Sequence, residues 1–363
     1  MTVNDGLFDW EPQAVNAKDN ASSETTESPV KAVLDKDGVH FEDPEIISKA
    51  ANAKVSNSLI SGMLKCPARQ AADKWILPGV LPEDPLGPTT LGSAFHRVME
   101  HFFNLPPKER IYDNIKECYR KMLGEDEFQV LNTSADARKW VRHRVNEYYQ
   151  SGFENPEDVK IAQVERVSKK GFPYLASGLE LFVTAKIGDA SRDTLGFIDR
   201  LSVDDDGNYI VEDWKTGKKA HPFDPSEKYA DFGYVRQQIL YSMIVEETTD
   251  RKVNKARLIY PEAIHPGPDG GEENGFYVDN IPIHNKLYRK QAIRDVETAS
   301  AMLDDCNESN TWPAVPSPLC SWCPLVNICP SAMKIKKQNA VDSRANQPDA
   351  GFLKTNAGLI QGR

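Results

Sequence analysis

Apolar positions recur at helical spacing through the first half of the chain and at strand spacing through its middle. Leu59, Met63 and Leu64 share one face of a short helix. After the Pro-rich stretch LPGVLPEDPLGP, Leu91, Phe95, Val98, Met99 and Phe102 form a longer stripe that ends at Pro106 and Pro107. Two further amphipathic runs predict helices. One spans Ile111 to Leu123, with Ile115, Tyr119 and Met122 on its stripe; the other spans Ala135 to Tyr149, with Trp140, Val141, Val145 and Tyr148.

The pattern then shortens. VKIAQVERVSK, GLELFVTAKIG, TLGFIDRLSV and NYIVEDWKTG are β-branched segments separated by Gly, Asp and Asn, and DDDGN is a turn between the last two. A helix around Tyr234 to Glu247, strands near Ala256 to Tyr260 and Phe276 to Ile283, and a long helix from Asn285 to Leu303 follow. Helices, then hairpins, then helix and strand again predict an α/β sandwich around a mixed sheet. No internal repeat is visible, which excludes a solenoid or propeller.

Both ends read differently from this body. Residues 1–45 are polar and acidic without sustained apolar periodicity, the pattern of a disordered arm. Residues 334–363 read as a flexible polar tail, leaving 46–333 as the folded domain. The whole chain of 363 residues carries 54 acids and 44 bases, a net charge of -10, which argues at first against a polyanionic partner. Eleven acids and four bases within residues 1–50 account for -7 of that, so the rest is nearly balanced at -3. No apolar run approaches a membrane span, and the N-terminus carries acids where a secretory signal carries bases, so a cytoplasmic protein is expected.

The most informative local stretch is GFIDRLSVDDDGNYIVEDWKTGK. It puts Asp199 on one strand of a hairpin and Asp213 with Lys215 on the next, where positions i and i+2 project from the same face. Two hard carboxylates suit Mg²⁺ or Mn²⁺, and a lysine beside them can orient water or stabilise negative charge. An isolated D-x-K would equally describe a surface salt bridge, so context matters. In GSAFHRVMEHFF, His96 and Glu100 stand one turn apart on a face opened by Gly92, and the imidazole offers a third ligand. In RQQILYSMIV, Gln237 and Tyr241 share a face near Arg236, where an amide, a phenol and a guanidinium could support ligands or contact phosphate.

Taken in order, GSAFH, GFIDR, EDWKTG and QQILY resemble the RecB-like branch of the PD-(D/E)XK nucleases across roughly residues 56–332. The resemblance implies a restriction-endonuclease-like α/β core. It makes His96, Asp199 and Asp213 metal ligands, the Trp214 carbonyl a further one, and Lys215 the catalytic lysine. Gln237 and Tyr241 become the supporting helix motif, and Glu165 in AQVERVSK takes the place of a strand acid near the site.

Six cysteines in an intracellular chain are metal ligands or buried thiols before they are disulfides. PSPLCSWCPLVNICP spaces Cys320, Cys323 and Cys329 as C-x2-C-x5-C, and Cys66, in KCPARQ, offers a fourth thiolate. Spacing alone leaves structural Zn²⁺ and an iron-sulfur cluster both open. The arrangement is similar to that of AddB and the CRISPR-associated RecB-like exonucleases, which implies a [4Fe-4S] cluster clipping the N-terminal helix to the end of the nuclease domain. Cys118 and Cys306 read as buried thiols on helices.

The expectation is a metal-dependent DNA exonuclease acting on single-stranded ends in recombination, repair, phage DNA metabolism or CRISPR adaptation. Arg138, Lys139, Arg142 and Arg144, interleaved with Trp140 and Tyr148, could line a strand path, although a solvated helix face uses the same residues. No Walker A loop occurs, so any helicase motor would come from a partner. The rival readings are a non-cleaving DNA-binding scaffold on the same fold and a zinc-stabilised binding protein.

Overall fold

The computed structural model describes residues 31–79, 84–220, 222–223, 232–267, 269, 271–333 and 354–355. Strands β1 (Ala32–Leu34) and β2 (Val39–Phe41) pair antiparallel and lead into α1 (Pro44–Ala51). The helix starts there because Asp43 accepts the Glu45 N–H (2.8 Å) and Pro44 fills the first turn without losing a hydrogen bond. This corrects the expected arm of residues 1–45, whose last third is ordered. Val39 exchanges backbone hydrogen bonds with Trp312 (2.9 Å each way), and the Phe41, Trp75 and Trp312 rings pack within 5.9 Å of one another. Residues 1–30 lie outside the described residues. So does the expected tail of 334–363, apart from Lys354–Thr355, which runs parallel to β1.

The short strand β3 (Val55–Ser56) precedes α2 (Asn57–Lys65), capped by the Ser56 hydroxyl on the Leu59 N–H (3.2 Å), and then α3 (Pro67–Ala71). Leu59 and Met63 are buried with Ile60, but Leu64 is 38% exposed and does not share their face. A layer of three helices follows: α4 (Pro88–Asn104), α5 (Tyr112–Leu123) and α6 (Ala135–Gln150).

The strands that follow are β4 (Lys160–Ile161), β5 (Gln163–Val167), β6 (Pro173–Ser177), β7 (Leu179–Ala185), β8 (Thr194–Val203) and β9 (Tyr209–Trp214). After α7 (Gly233–Thr249) come β10 (Val253–Pro266), β11 (Glu272–Ile281) and the 24-residue α8 (Lys286–Ser309). The central sheet runs β11-β10-β9-β8-β3, with β4 and β7 also on β8; β10 is parallel to β9 and β3 to β8, the rest antiparallel. It is a curled mixed sheet with helices on both sides, the restriction-endonuclease-like α/β core that the resemblance implies. β5 and β6 stand apart as a two-stranded hairpin.

Strand alternation divides the core in two. Trp214 and Ile259 join α4, α5 and α6 on one face, while Val211, Leu258 and Tyr260 join α7 and α8 on the other. α7 is buried on nearly every side, which explains why its sequence shows little amphipathic contrast.

A buried ion network pins β8 to β9. Arg200 and Glu212, neither accessible to solvent, face each other across the ladder and form a two-pronged pair at 2.7 and 2.8 Å. Glu154 (2.7 Å) and Tyr148 (3.3 Å) also bind the guanidinium, Ser202 (2.8 Å) and Arg257 (2.6 Å) bind Glu212, and the Phe103 ring lies 4.4 Å from the guanidinium carbon. Removing one member leaves an uncompensated buried charge. Arg200→Met is therefore expected to destabilise the domain by about 3–5 kcal/mol in chemical denaturation. Arg200→Met combined with Glu212→Leu should recover part of that loss, because the stranded carboxylate is gone.

Candidate active site

The network fixes what the opposite face of the hairpin presents. With Arg200 opposite Glu212, the same register sets Asp199 against Asp213, one position along on each strand. Asp199 is anchored further by its Oδ2, which accepts the Trp214 N–H at 2.7 Å. From α4, His96 reaches the same place: its Nε2 is 3.1 Å from the Trp214 carbonyl and its Nδ1 is 3.5 Å from Asp199 Oδ1. Gly92, one turn earlier, lets α4 come this close, since a Cβ there would sit 3.1 Å from the Thr216 hydroxyl.

The strand acid beside His96 is Glu180 on β7, not Glu165. Glu180 Oε1 stands 3.9 Å from His96 Nδ1, and ligand atoms of His96, Glu180 and Asp199 lie within 4.8 Å of one another. Glu165 sits on the β5–β6 hairpin opposite Leu175, exposed, because that hairpin pairs with itself rather than with β8. Glu180 also holds a left-handed backbone, φ +46°, an uncommon state for a residue with a side chain and one that clusters at functional sites. The cue in the sequence was an acid between Leu179 and Leu181 in an apolar strand.

Lys215 completes the cluster. Its ammonium is 2.6 Å from Asp213 Oδ2, donates to Gln237 Oε1 at 3.1 Å, and lies 4.5 Å from the centre of the Tyr234 ring. Gln237 in turn donates to the Tyr241 hydroxyl at 3.1 Å. Arg236 does not join them, which corrects its expected contact with DNA. It is buried and ties α7 to α2 and α8 through Asn57 (3.0 Å), Ser61 and Asp295 (2.8 Å). Glu100 likewise turns away to Arg97, at 2.5 Å.

Three carboxylates against one lysine and one imidazole leave the site short of positive charge. Burial, helped by Asp199, pushes the Glu180 carboxyl up to about 7. Burial carries Asp213 up to about 6, with Lys215 pulling against it and Asp199 adding to it. Burial would lower His96, yet the carboxylates around it raise the imidazolium to about 9, and His96 draws Asp199 down against its own burial. Burial is the main cause of the two raised carboxyls, and a divalent cation at the site would favour their charged forms. The donor set fits one. The oxygens are hard, the imidazole is compatible with Mn²⁺, and ligand atoms of His96, Glu180 and Asp199 already lie within 4.8 Å of one another.

The basic face of α6 is largely engaged elsewhere. Arg144 is buried against the Trp140 ring (3.7 Å) and pairs with Glu262 (3.1 Å), Arg138 caps the Asn132 carbonyl (2.6 Å), and Tyr148 belongs to the Arg200 network. Lys139 remains exposed and Arg142 half-buried.

The cysteines gather at the far end of α2. Cys66 joins α2 to α3, and Cys66, Cys320 and Cys323 line one cavity of about 260 Å³. Cys329 is close enough to feel the charges of Cys66 and Cys320. The Val315 N–H donates to Cys66 Sγ (3.4 Å) and the Ser317 N–H to Cys320 Sγ (3.3 Å). Cys118 and Cys306 are buried on α5 and α8 with thiols pushed up to about 11 by burial.

Comparison with known proteins adds a family. The sequence model of the PD-(D/E)XK nuclease superfamily matches residues 54–330. No curated protein matches significantly. Among solved structures, a Eubacterium rectale protein described as a "Putative exonuclease" is 11% identical with a TM-score of 0.39, covering 85% of this chain and 94% of its own. The protein SSO0001 is 15% identical with a TM-score of 0.28, covering 67% of this chain and 95% of its own.

The support behind the cluster is tight enough to test. A Cβ on Gly196 would fall 2.0 Å from a Tyr241 ring carbon. Gly196→Ala is expected to displace Tyr241 and lower stability by about 1–3 kcal/mol in thermal or chemical unfolding.

Proposed function

The chain belongs to the PD-(D/E)XK nuclease superfamily, and from that premise we propose that it is a divalent-cation-dependent DNA exonuclease acting on single-stranded ends. The observation that carries the reading is the convergence of His96, Glu180, Asp199, Asp213 and Lys215 at one place on the sheet. Bound there, Mg²⁺ or Mn²⁺ supplies Lewis acidity toward a phosphodiester and toward water. His96, Asp199, Asp213 and the Trp214 carbonyl are the proposed ligands, with Glu180 in the role first given to Glu165.

Lys215 is the proposed catalytic lysine. Its ammonium, held between Asp213 and Gln237, brings a fixed positive charge to where negative charge grows as water attacks phosphorus. Gln237 and Tyr241 position it. Their hydrogen-bond chain leaves the long lysine side chain little freedom, so the charge is in place before the phosphate arrives. The preference for free single-stranded ends rests on the likeness of the four motifs to RecB-like nucleases.

The cysteine group is the second part of the proposal: Cys66, Cys320, Cys323 and Cys329 hold a [4Fe-4S] cluster, with structural Zn²⁺ as the alternative. Backbone N–H donors on two of the sulfurs support thiolate ligation, since such bonds stabilise the charged form and tune clusters. The role is that of a clip between α2 and the C-terminal segment.

Two experiments test these readings. With Mn²⁺, wild-type protein should degrade end-labelled linear single strands and spare circular ones, and Lys215→Ala should lower the rate by about 100-fold or more; equal activity of the two proteins would overturn the nuclease assignment. Anaerobically purified protein should be coloured and contain iron, and Cys66→Ala should lose both and unfold at lower temperature. A colourless, zinc-containing sample would establish the alternative.

A further inference from the structure

β7 and β8 carry more than metal ligands. Two positions beyond Glu180 and Asp199, Phe182 stands directly opposite Phe197, and both are open to solvent at 44% and 54%. Their ring centroids are 5.2 Å apart at a 56° tilt. The neighbours of each along the strand, Leu181 and Val183, Gly196 and Ile198, are buried on the other side, so the two phenylalanines project from the sheet's open side. A single exposed Phe is ordinary, but a cross-strand pair is a compact apolar surface of about the size of one base.

We infer that Phe182 and Phe197 form a stacking platform for an unpaired nucleobase flanking the phosphodiester at the ligand cluster, a substrate contact that rests on the nuclease reading above. Position favours this occupant over any other. Two residues along a strand are about 7 Å, within the span between a nucleotide's phosphate and the face of its own or a neighbouring base. A phosphate brought to Glu180 and Asp199 by a divalent cation would therefore place a base over this pair. Beyond Phe182, Lys54 donates to the Thr184 hydroxyl (3.3 Å) while paired with Asp193 (3.0 Å), and Lys186 is exposed just past the strand end. Stacking also selects strandedness. A base inside a duplex has both faces covered and must be unstacked first, whereas an unpaired base has a face to offer.

Binding separates this inference from the nuclease reading. The Lys215→Ala protein is titrated, by fluorescence anisotropy, with single strands in which one abasic residue is walked inward from each end. One abasic position is expected to weaken binding about tenfold. Adding Phe182→Ala with Phe197→Ala should weaken the intact strand by a similar factor and abolish the sensitivity to that position, while Phe182→Tyr with Phe197→Tyr should keep it. Unchanged melting temperatures are expected, because both rings are exposed. Abasic sensitivity that survives in the double alanine protein, or intact strands bound as tightly as before, would overturn the platform and leave cleavage by the wild type in Mn²⁺ untouched. Absence of that cleavage would overturn the nuclease reading by itself.

Discussion

The hydrogen-bonded pair between Arg200 and Glu212 sets the geometry on which the rest of the molecule depends. A one-residue slip between β8 and β9 would leave Asp199 and Asp213 on opposite faces of the sheet, so the ladder must be specified strongly. Apolar residues specify register through packing alone; a two-pronged ion pair in a dry interior specifies it through geometry, because neither charge tolerates losing its partner. The network extends the same constraint outward: Glu154 and Tyr148 bring in α6 and the loop after it, and Arg257 brings in β10. Helix layer and sheet are thereby located relative to the two carboxylates.

What the network does for one face, two glycines do for the approach of the helices. Gly92 admits α4, and with it His96, to the ladder, while Gly196 leaves the space that the Tyr241 ring fills from α7. The cluster is thus assembled from three layers, with ligands from the sheet and from α4 and the lysine's supports from α7. Its excess of carboxylate is destabilising in isolation, which is the usual condition of a cation site. The same reasoning reframes the chain's net charge of -10. Most of it belongs to the N-terminal fifty residues, and part of the remainder is acid concentrated where a metal ion would neutralise it.

Much of this was readable in the residues, and the failures have physical causes. α5 and α6 begin and end within a residue or two of the expected helices, because amphipathic stripes with clear stops are strong local signals. The acids Asp199 and Asp213 and the lysine stood out because charged residues interrupt otherwise apolar strands. Glu180 interrupts its strand in the same way, but its role depends on which strand pairs with β8, and pairing is a property of the whole sheet that no local pattern encodes. Glu165 occupies a similar local pattern on a strand that pairs elsewhere. Arg236 was misread for a related reason: on a helix buried all round, a guanidinium adjoining the site turns inward to Asp295 rather than outward to solvent.

The ordered start of the chain shows how distant segments come to depend on one another. β2 is short and acid-flanked, too weak a signal to read as structure on its own, yet Val39 and Phe41 are buried because Trp312 and Asn310 arrive from the other end of the domain to bond them. Pro313, next to Trp312, accepts the Ala68 N–H just past Cys66, and the cysteine segment begins a few residues later. The N-terminal hairpin, α3 and the C-terminal segment are therefore tied together as one packed unit. Closing so long a loop is entropically costly, and contacts from Trp312 and Asn310 bring Cys320, Cys323 and Cys329 within reach of Cys66 before any ligand joins them. A metal or cluster of the kind proposed for the thiols would add to a closure that these backbone contacts already make, and its contribution would appear chiefly as resistance of the whole domain to unfolding.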